Sequence, residues 1–395
     1  MSGRASRDRP ADGSGSPAQT GKDRDGLGGR IDDPSNHDHE EDGHQDKHEG
    51  TSHPLIVDRE GVAAKPRERL NLARLILASA IAAAVTVGTV RVTIPVVTVE
   101  PGPTADAGSL VTISGAETFS PQGRHLVTTV LVTDHNTVAS ALWGWVLPEV
   151  DVLPRSAIYP PGSTQEDIDR EVSDQMDDSQ TSAKVAALRA LGHQVPLEGV
   201  LVRRILAGTP AAGQLKAGDV ILEMNGTAIA GVQHWLMLLA DKQVGDTVDL
   251  TVRRQHERLQ MSMQVVTLAG SPEPDLGFEG ADAYTFPFDV KIDAGEIGGP
   301  SAGLTFSLAV AELLTPRDLT RGRIIADTGT IDVDGRIGKV GGVKQKVVAA
   351  KRRGADIFLV PRPNHAEASD AAGKSLEIIP VSTLQEAIQS LMKTA

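Results

Sequence analysis

The sequence predicts an α+β multidomain chain, and three observations predict it. Residues 1–69 hold almost no apolar side chains, residues 75–90 hold no charge, and after about residue 194 strand-like and helix-like apolar stretches alternate between Gly-rich turns. The 395 residues leave room for two to three domains at about 150 residues each. Aromatic residues are only 3% of the chain, so its cores rest on Val, Leu, Ile and Ala. The balance of 39 Lys/Arg against 52 Asp/Glu gives a net charge of −13. A chain this acidic is a poor candidate for nonspecific nucleic-acid binding, which depends on basic stripes, and no nucleic-acid partner is expected. There is no cysteine, which excludes a disulfide scaffold, a Cys-ligated zinc or iron–sulfur site and a cysteine nucleophile.

Residues 1–69 are expected to be a disordered tail, because eleven Lys/Arg and fifteen Asp/Glu with few apolar residues cannot bury enough surface to offset the entropy of ordering. His37, His39, His44, His48 and His53 alternate there with acidic residues. The bland reading is a solvated acidic tail, and the sharper one is a weak divalent-metal tract that would make the protein a metal sensor. No fold holds those ligands, which favours the bland reading.

The run Leu75–Val90 is uncharged and apolar on every face, Arg91 interrupts it, and Val92–Val99 resumes it. Counted from Leu70 it reaches the roughly 20 residues of a membrane-spanning helix, so residues 70–99 are read as one transmembrane helix and its exit segment. Lys65, Arg67, Arg69 and Arg74 precede the run, and Arg91 follows it. The positive-inside bias then places the tail in the cytoplasm and everything after about residue 100 outside. Residues 100–193 mix β-rich stretches, Leu110–Ile113 and His125–Thr133, with a helical pattern from Thr164 to Leu191 that ends at Gly192. No chemistry is legible there, and His135 and the Trp143/Trp145 pair read as structural.

Residues 194–268 form the next unit. A strand (Val200–Ile205), a turn at Gly218-Asp219, a short strand (Val220–Met224) and an Asn225-Gly226 turn come first. A helical stretch (Val232–Leu239) and a β pair (Thr247–Arg253, Leu259–Val266) complete it. Leu215, Gly218, Asp219, Ile221, Asn225 and Gly226 fit the pattern Leu-x-x-Gly-Asp-x-Ile-x-x-x-Asn-Gly, and on these residues the stretch resembles a PDZ domain. The resemblance implies that a peptide adds as a strand at the sheet edge, its carboxylate on backbone N–H groups of the loop Leu197, Glu198, Gly199 and Val200.

Beyond residue 275 the informative segment is Gly298-Gly299-Pro300-Ser301-Ala302-Gly303, between a strand-like stretch (Tyr284–Ile292) and an apolar run to Leu314. Ser301 is thereby placed at a Gly-rich strand-to-helix turn. Free N–H groups and positive potential at a helix start suit a nucleophile and a developing oxyanion, and equally suit a serine that only caps a buried helix. No Ser-His-Asp spacing and no Gly-x-Ser-x-Gly elbow is present. A buried, neutral lysine can replace the histidine. In Gly341-Gly342-Val343-Lys344-Gln345-Lys346-Val347-Val348-Ala349-Ala350, Val343, Val347 and Ala350 share one helix face. Lys346 lies about 67° from the centre of that face and Lys344 about 93°, which favours Lys346 as the inward lysine.

Gly-Pro-Ser-Ala-Gly, then Asp327-Thr328-Gly329 with its Asp334-Gly335 turn, then Gly-Gly-Val-Lys-Gln-Lys resemble, in this order, the proteolytic domain of Lon-type serine peptidases over about residues 275–393. With the PDZ-like stretch and the apolar run, the arrangement resembles the bacterial membrane-anchored PDZ–Lon-like proteases. The resemblance implies a Ser-Lys dyad of Ser301 and Lys346, with Thr328 beside it orienting the lysine. It implies peptide hydrolysis, protein or peptide substrates, and a homo-oligomeric ring such as a hexamer. The sequence departs from the family at Gly298, where Lon peptidases usually carry Asp. It also lacks a Gly-x-x-x-x-Gly-Lys-[Ser/Thr] loop, so ATP-independent activity with no cofactor and no metal is expected. The alternative of another class is a non-catalytic PDZ adaptor that uses an inactive Lon fold for assembly. The expected fold class is α+β multidomain, with a disordered N-terminal tail, one transmembrane helix, a PDZ β-rich domain and a Lon-type α/β proteolytic domain.

Overall fold

The computed structural model describes residues 66–393. The five tail histidines lie outside the described residues. The first helix, α1 (Pro66–Arg91), starts at a proline, whose fixed φ and missing N–H suit the first helical position. It takes in residues 66–69, so the helix begins earlier than the expected tail boundary at residue 69. Its apolar stretch Leu70–Arg91 has a mean hydropathy of 1.9, and none of it is buried among the described residues.

The chain then builds the first half of an α/β domain through β1 (Val96–Asp106), α2 (Ala107–Leu110), β2 (Val111–Ser114), β3 (Arg124–Thr133), α3 (Val138–Val146), β4 (Asp151–Pro154) and α4 (Gln165–Ala190). Thr164 caps α4, with Asp167 returning a bond to the cap backbone, a reciprocal pair that fixes where the helix begins.

A β-rich module follows, consisting of β5 (Leu197–Ile205), β6 (Val220–Met224), β7 (Thr227–Ala228), α5 (Val232–Ala240), β8 (Thr247–Arg254), β9 (Glu257–Gln264), β10 (Val266–Thr267), β11 (Pro274–Asp275) and β12 (Phe278–Tyr284). Its sheet runs β12-β5-β6-β8-β9, with β7 paired to β6. Alternate residues of β5, β6 and β8, among them Val200, Val202, Ile221, Val248, Leu250 and Val252, bury one face of the sheet against Trp235 and Leu239 of α5.

The second half of the α/β domain is β13 (Asp289–Ile292), α6 (Gly303–Leu313), β14 (Ile324–Asp327), β15 (Thr330–Ile331), β16 (Ile337–Gly338), α7 (Val343–Arg352), β17 (Ile357–Pro361), α8 (His365–Ala372), β18 (Glu377–Val381) and α9 (Leu384–Lys393). The main sheet has the order β18-β17-β14-β3-β1-β4. Strands β18, β17, β14 and β3 are parallel, and β1 and β4 continue it antiparallel. Helix α6 is apolar on nearly all sides and buried from Gly303 to Glu312, so it forms the centre of the core rather than a wall.

The boundaries expected from the sequence divide this fold differently. Strands β1, β3 and β4, expected in a separate 100–193 region, hydrogen-bond into the same sheet as β14, β17 and β18. Strand β12, expected in the 275–393 unit, closes the sheet of the module expected to end at residue 268. The module is therefore inserted between two halves of one α/β domain. Local patterning shows which face of a strand is buried but not which distant strand it pairs with.

Because α6 is enclosed on all sides, Phe306→Ala leaves a cavity at the centre of the domain. A loss of about 3–5 kcal/mol is expected, read as a shift in the chemical-denaturation midpoint of the detergent-solubilised chain.

Candidate active site

Ser301 sits in a 3-10 turn (Pro300–Ala302) that opens α6. Gly299 before it has φ 81°, a conformation that favours glycine. The turn is held from both sides. On one side Gly299 N–H donates to Val172 O of α4 (3.2 Å) and Ser179 Oγ donates to Pro300 O (3.2 Å). On the other, Gly329 N–H donates to Ser301 O (2.9 Å), Leu304 N–H donates to Gly329 O (3.0 Å), and Thr328 Oγ1 donates to Ser301 O (3.1 Å).

Lys346 comes from α7. That helix starts after Gly342 (φ 66°), where an added Cβ would stand 2.6 Å from Val130 Cγ1 of β3, so only glycine lets the helix start this close to the sheet. Val343, Val347 and Ala350 face the core. Lys344 turns the other way and pairs with Asp151. Lys346 is 2% exposed. Its Nζ lies 2.7 Å from Ser301 Oγ and 2.9 Å from Thr328 Oγ1. Burial alone lowers its pKa to about 8. The structure thus brings together the three side chains singled out in the sequence of this domain.

Ser301 opens onto a cavity of about 310 Å³ lined by Thr129, Val130 and Leu131 of β3 and by Glu296, Ile297 and Gly298. Gly298, the departure from the family pattern, has a local cause. A Cβ there would stand 2.3 Å from Val172 Cγ1, so α4 fills the space an aspartate would need.

Asp327, the residue before Thr328, belongs to a second buried cluster, which the sequence does not single out. His125 of β3 is buried with Nδ1 3.4 Å from Asp327 Oδ2 and Nε2 3.5 Å from Glu312 Oε2. Burial opposes a charge on the ring, but the two carboxylates outweigh it and raise the pKa to about 9. The signal in the sequence was a histidine next to the start of a strand rich in Val, Leu and Thr.

The expected peptide loop is corrected. Leu197, Glu198, Gly199 and Val200 belong to β5, an interior strand paired with β12 on one edge and β6 on the other, so it has no edge for a peptide to join. The available edge is the outer one of β12, which pairs with β5 alone. Helix α5 lies alongside, with Val232 N–H donating to Asp282 Oδ1 (2.8 Å) and the rings of Trp235 and Phe278 5.3 Å apart. Entry into β12 is the turn Leu276-Gly277-Phe278, where Gly277 has φ 88° and its N–H donates to Asp275 Oδ1 (2.7 Å). The Leu215–Gly226 pattern drew attention to the strands nearest it in sequence, and β12 lies after the module's last expected strand.

Residues 282–394 match the Lon protease (S16) C-terminal proteolytic domain, and residues 171–265 match the PDZ domain. Lon protease of Desulfosudis oleivorans is 32% identical over 175 residues, covering 43% of this chain and 18% of that protein. Lon protease of Chloroherpeton thalassium is 30% identical over 214 residues, covering 51% of this chain and 23% of that protein. The chain thus spans about a fifth of the length of these curated relatives. Among solved structures, the PDZ domain of the SdrC-like protein from Listeria monocytogenes is 28% identical, covers 22% of this chain and 93% of its own, and gives a TM-score of 0.21. A Lon-type proteolytic domain and a PDZ domain are present in this chain, which supports a serine peptidase.

Removing the cation between Asp327 and Glu312 leaves two buried carboxylates facing each other. His125→Gln is expected to lose on the order of 3–5 kcal/mol of stability at neutral pH. The folded pKa is raised, so this contribution is full below about 6.5 and fades as pH rises through about 9. Unfolding of wild type and variant at pH 6 and pH 10 checks it. The gap should narrow at the higher pH, and the titration of Lys346 is common to both proteins and cancels.

Proposed function

We propose that the protein is a membrane-anchored serine endopeptidase with a Ser301–Lys346 dyad. It works outside the cytoplasm without ATP in the turnover or processing of proteins that its PDZ domain captures by an exposed or C-terminal peptide segment. The observation that carries this reading is the 2.7 Å approach of a buried, pKa-lowered Lys346 Nζ to Ser301 Oγ. Thr328 donates its own proton to Ser301 O, so its oxygen is left to accept from Lys346. That bond fixes the amine with its lone pair toward Ser301.

Neutral Lys346 takes the Ser301 proton as Oγ attacks the scissile carbonyl carbon. The tetrahedral oxyanion is held by the Ser301 and Ala302 N–H groups at the start of α6, where the helix dipole adds positive potential. Protonated Lys346 delivers its proton to the leaving amine, and the acyl-enzyme forms. Lys346 then takes a proton from water, which attacks the ester and restores Ser301. The peptide enters as a strand on the outer edge of β12, beside α5. The anchor reading rests on the apolar stretch Leu70–Arg91, and the orientation on the basic residues before it. The ring implied by family resemblance is tested by light scattering on the same preparation.

The deciding experiment is casein cleavage by the full chain in lipid nanodiscs without nucleotide. Ser301→Ala and Lys346→Ala should each lower kcat by at least about 10³-fold. A folded wild-type protein that binds C-terminal peptides and cuts nothing would overturn the enzyme reading in favour of an adaptor.

Only the neutral amine acts as the base, so kcat should rise with pH through about 8 and level off above it. Thr328→Val should lower kcat by about 10–100-fold while leaving KM nearly unchanged, and Thr328→Ser should restore most of the rate.

A further inference from the structure

We propose that the exposed face of α3 is an interfacial anchor that inserts into the headgroup layer of the bilayer crossed by α1. This inference rests on the reading of α1 as a membrane span. The helix reads Val-Ala-Ser-Ala-Leu-Trp-Gly-Trp-Val and carries no charge. Its small residues face inward. Ala141 and Gly144 are buried, and an added Cβ at Gly144 would meet Thr98, Val150 and Val152 within 3.4 Å. Its large residues face outward, with Leu142 56%, Trp143 68%, Trp145 81% and Val146 70% exposed. Two of the chain's three tryptophans therefore flank the exposed arc, one on each side of Leu142 and Val146, and stay mostly uncovered among the described residues. The sequence suggests a structural role for this pair, but at these exposures neither ring packs in the core. A contiguous apolar patch of this kind marks an interaction surface.

The position of α3 selects the occupant. Val138 N–H donates to Val92 O (3.2 Å), Ile94 N–H donates to Asn136 O (2.9 Å), and Thr93 bridges to Thr137. The first turn of α3 is thus bonded to the residues that directly follow Arg91, the last residue of α1. A nine-residue helix is about 13 Å long, so the whole apolar face stays near the plane where α1 leaves the hydrocarbon. Tryptophan has an apolar body and one polar N–H, and it concentrates at that depth. The face is uncharged, so it fits a zwitterionic phospholipid surface as well as an anionic one, and its binding does not depend on salt.

The test uses the full chain carrying Trp235→Phe, reconstituted into phosphatidylcholine vesicles brominated either near the headgroup or near the chain end. Trp143 and Trp145 are then the only tryptophans. The expected result is strong fluorescence quenching by the shallow label, weaker quenching by the deep one, and no change in high salt. If Trp235→Phe fails to fold, the unsubstituted chain gives the same reading, because Trp235 is buried in the module core. Alkaline carbonate extraction of the same vesicles reports whether α1 spans. Retention without shallow quenching overturns the anchor and leaves the α1 reading standing, whereas extraction overturns both. Cross-linking of two copies through Trp145→Cys without quenching overturns the anchor by assigning the face to contact between copies.

Discussion

Holding a lysine amine inside the protein with only hydroxyl partners is the constraint around which this structure is arranged. An ammonium group resists burial unless a carboxylate pairs with it. Such a pairing would keep Lys346 protonated and useless as a base. The fold supplies Ser301 and Thr328 as partners, and burial is the sole cause of the lowered pKa. Asp327 is the adjacent residue to Thr328, yet its carboxylate points the other way, to His125. Two buried bases therefore receive opposite treatment within one layer of the core. His125 is kept charged by two carboxylates, and by engaging Asp327 it helps leave the lysine without one. The backbone of Asp327 accepts from both Thr128 and Thr305, which pins the end of β14 between β3 and α6.

Helix α4 meets the same constraint from the other side. Val172 and Ser179 brace the turn that carries Ser301, and Val172 takes the space that a side chain at residue 298 would need. Between them along the helix, Asp174 and Asp178 pair with Arg204 and Arg203 of β5. One helix thus contacts the turn that carries Ser301 and the PDZ sheet together. The absence of aspartate at Gly298, which looked like a gap in the sequence, is a packing consequence of this helix.

The pairing of Ser301 with Lys346 was legible because its signals are local. A Gly-rich turn ahead of an apolar helix marks Ser301, and the 3.6-residue period of α7 separates Lys346 from Lys344 two positions away. The element types along the chain were legible for the same reason, with β3, α4, β6 and α5 falling close to their expected bounds. Pairings across long sequence distances were not legible. Nothing in Arg124–Thr133 indicates that it lies parallel to Ile324–Asp327, and nothing in Phe278–Tyr284 indicates that it closes the sheet begun by Leu197–Ile205. The split into regions at residues 193 and 275 followed sequence order, whereas the sheets do not. Helix α3 was missed because its inward face is made of Ala141 and Gly144, so its bulky apolar residues report the exposed side rather than the core.

The insertion has a mechanical consequence that a string of separate domains would lack. A module tethered at one end samples a wide volume, and a peptide held on it reaches a distant nucleophile only at the effective concentration its linker allows. Here the chain crosses between module and α/β domain twice, from α4 into β5 and from β12 into β13. The second crossing is only Thr285–Phe288, and β13 is itself paired to β2 of the α/β domain. The strand whose free edge is available to a peptide is thus the one continuous with the segment leading to Ser301. On the proposed reading, a peptide added to β12 would be held at a fixed place relative to Ser301 and Lys346, its bound geometry set by the sheets on both sides rather than by a flexible linker.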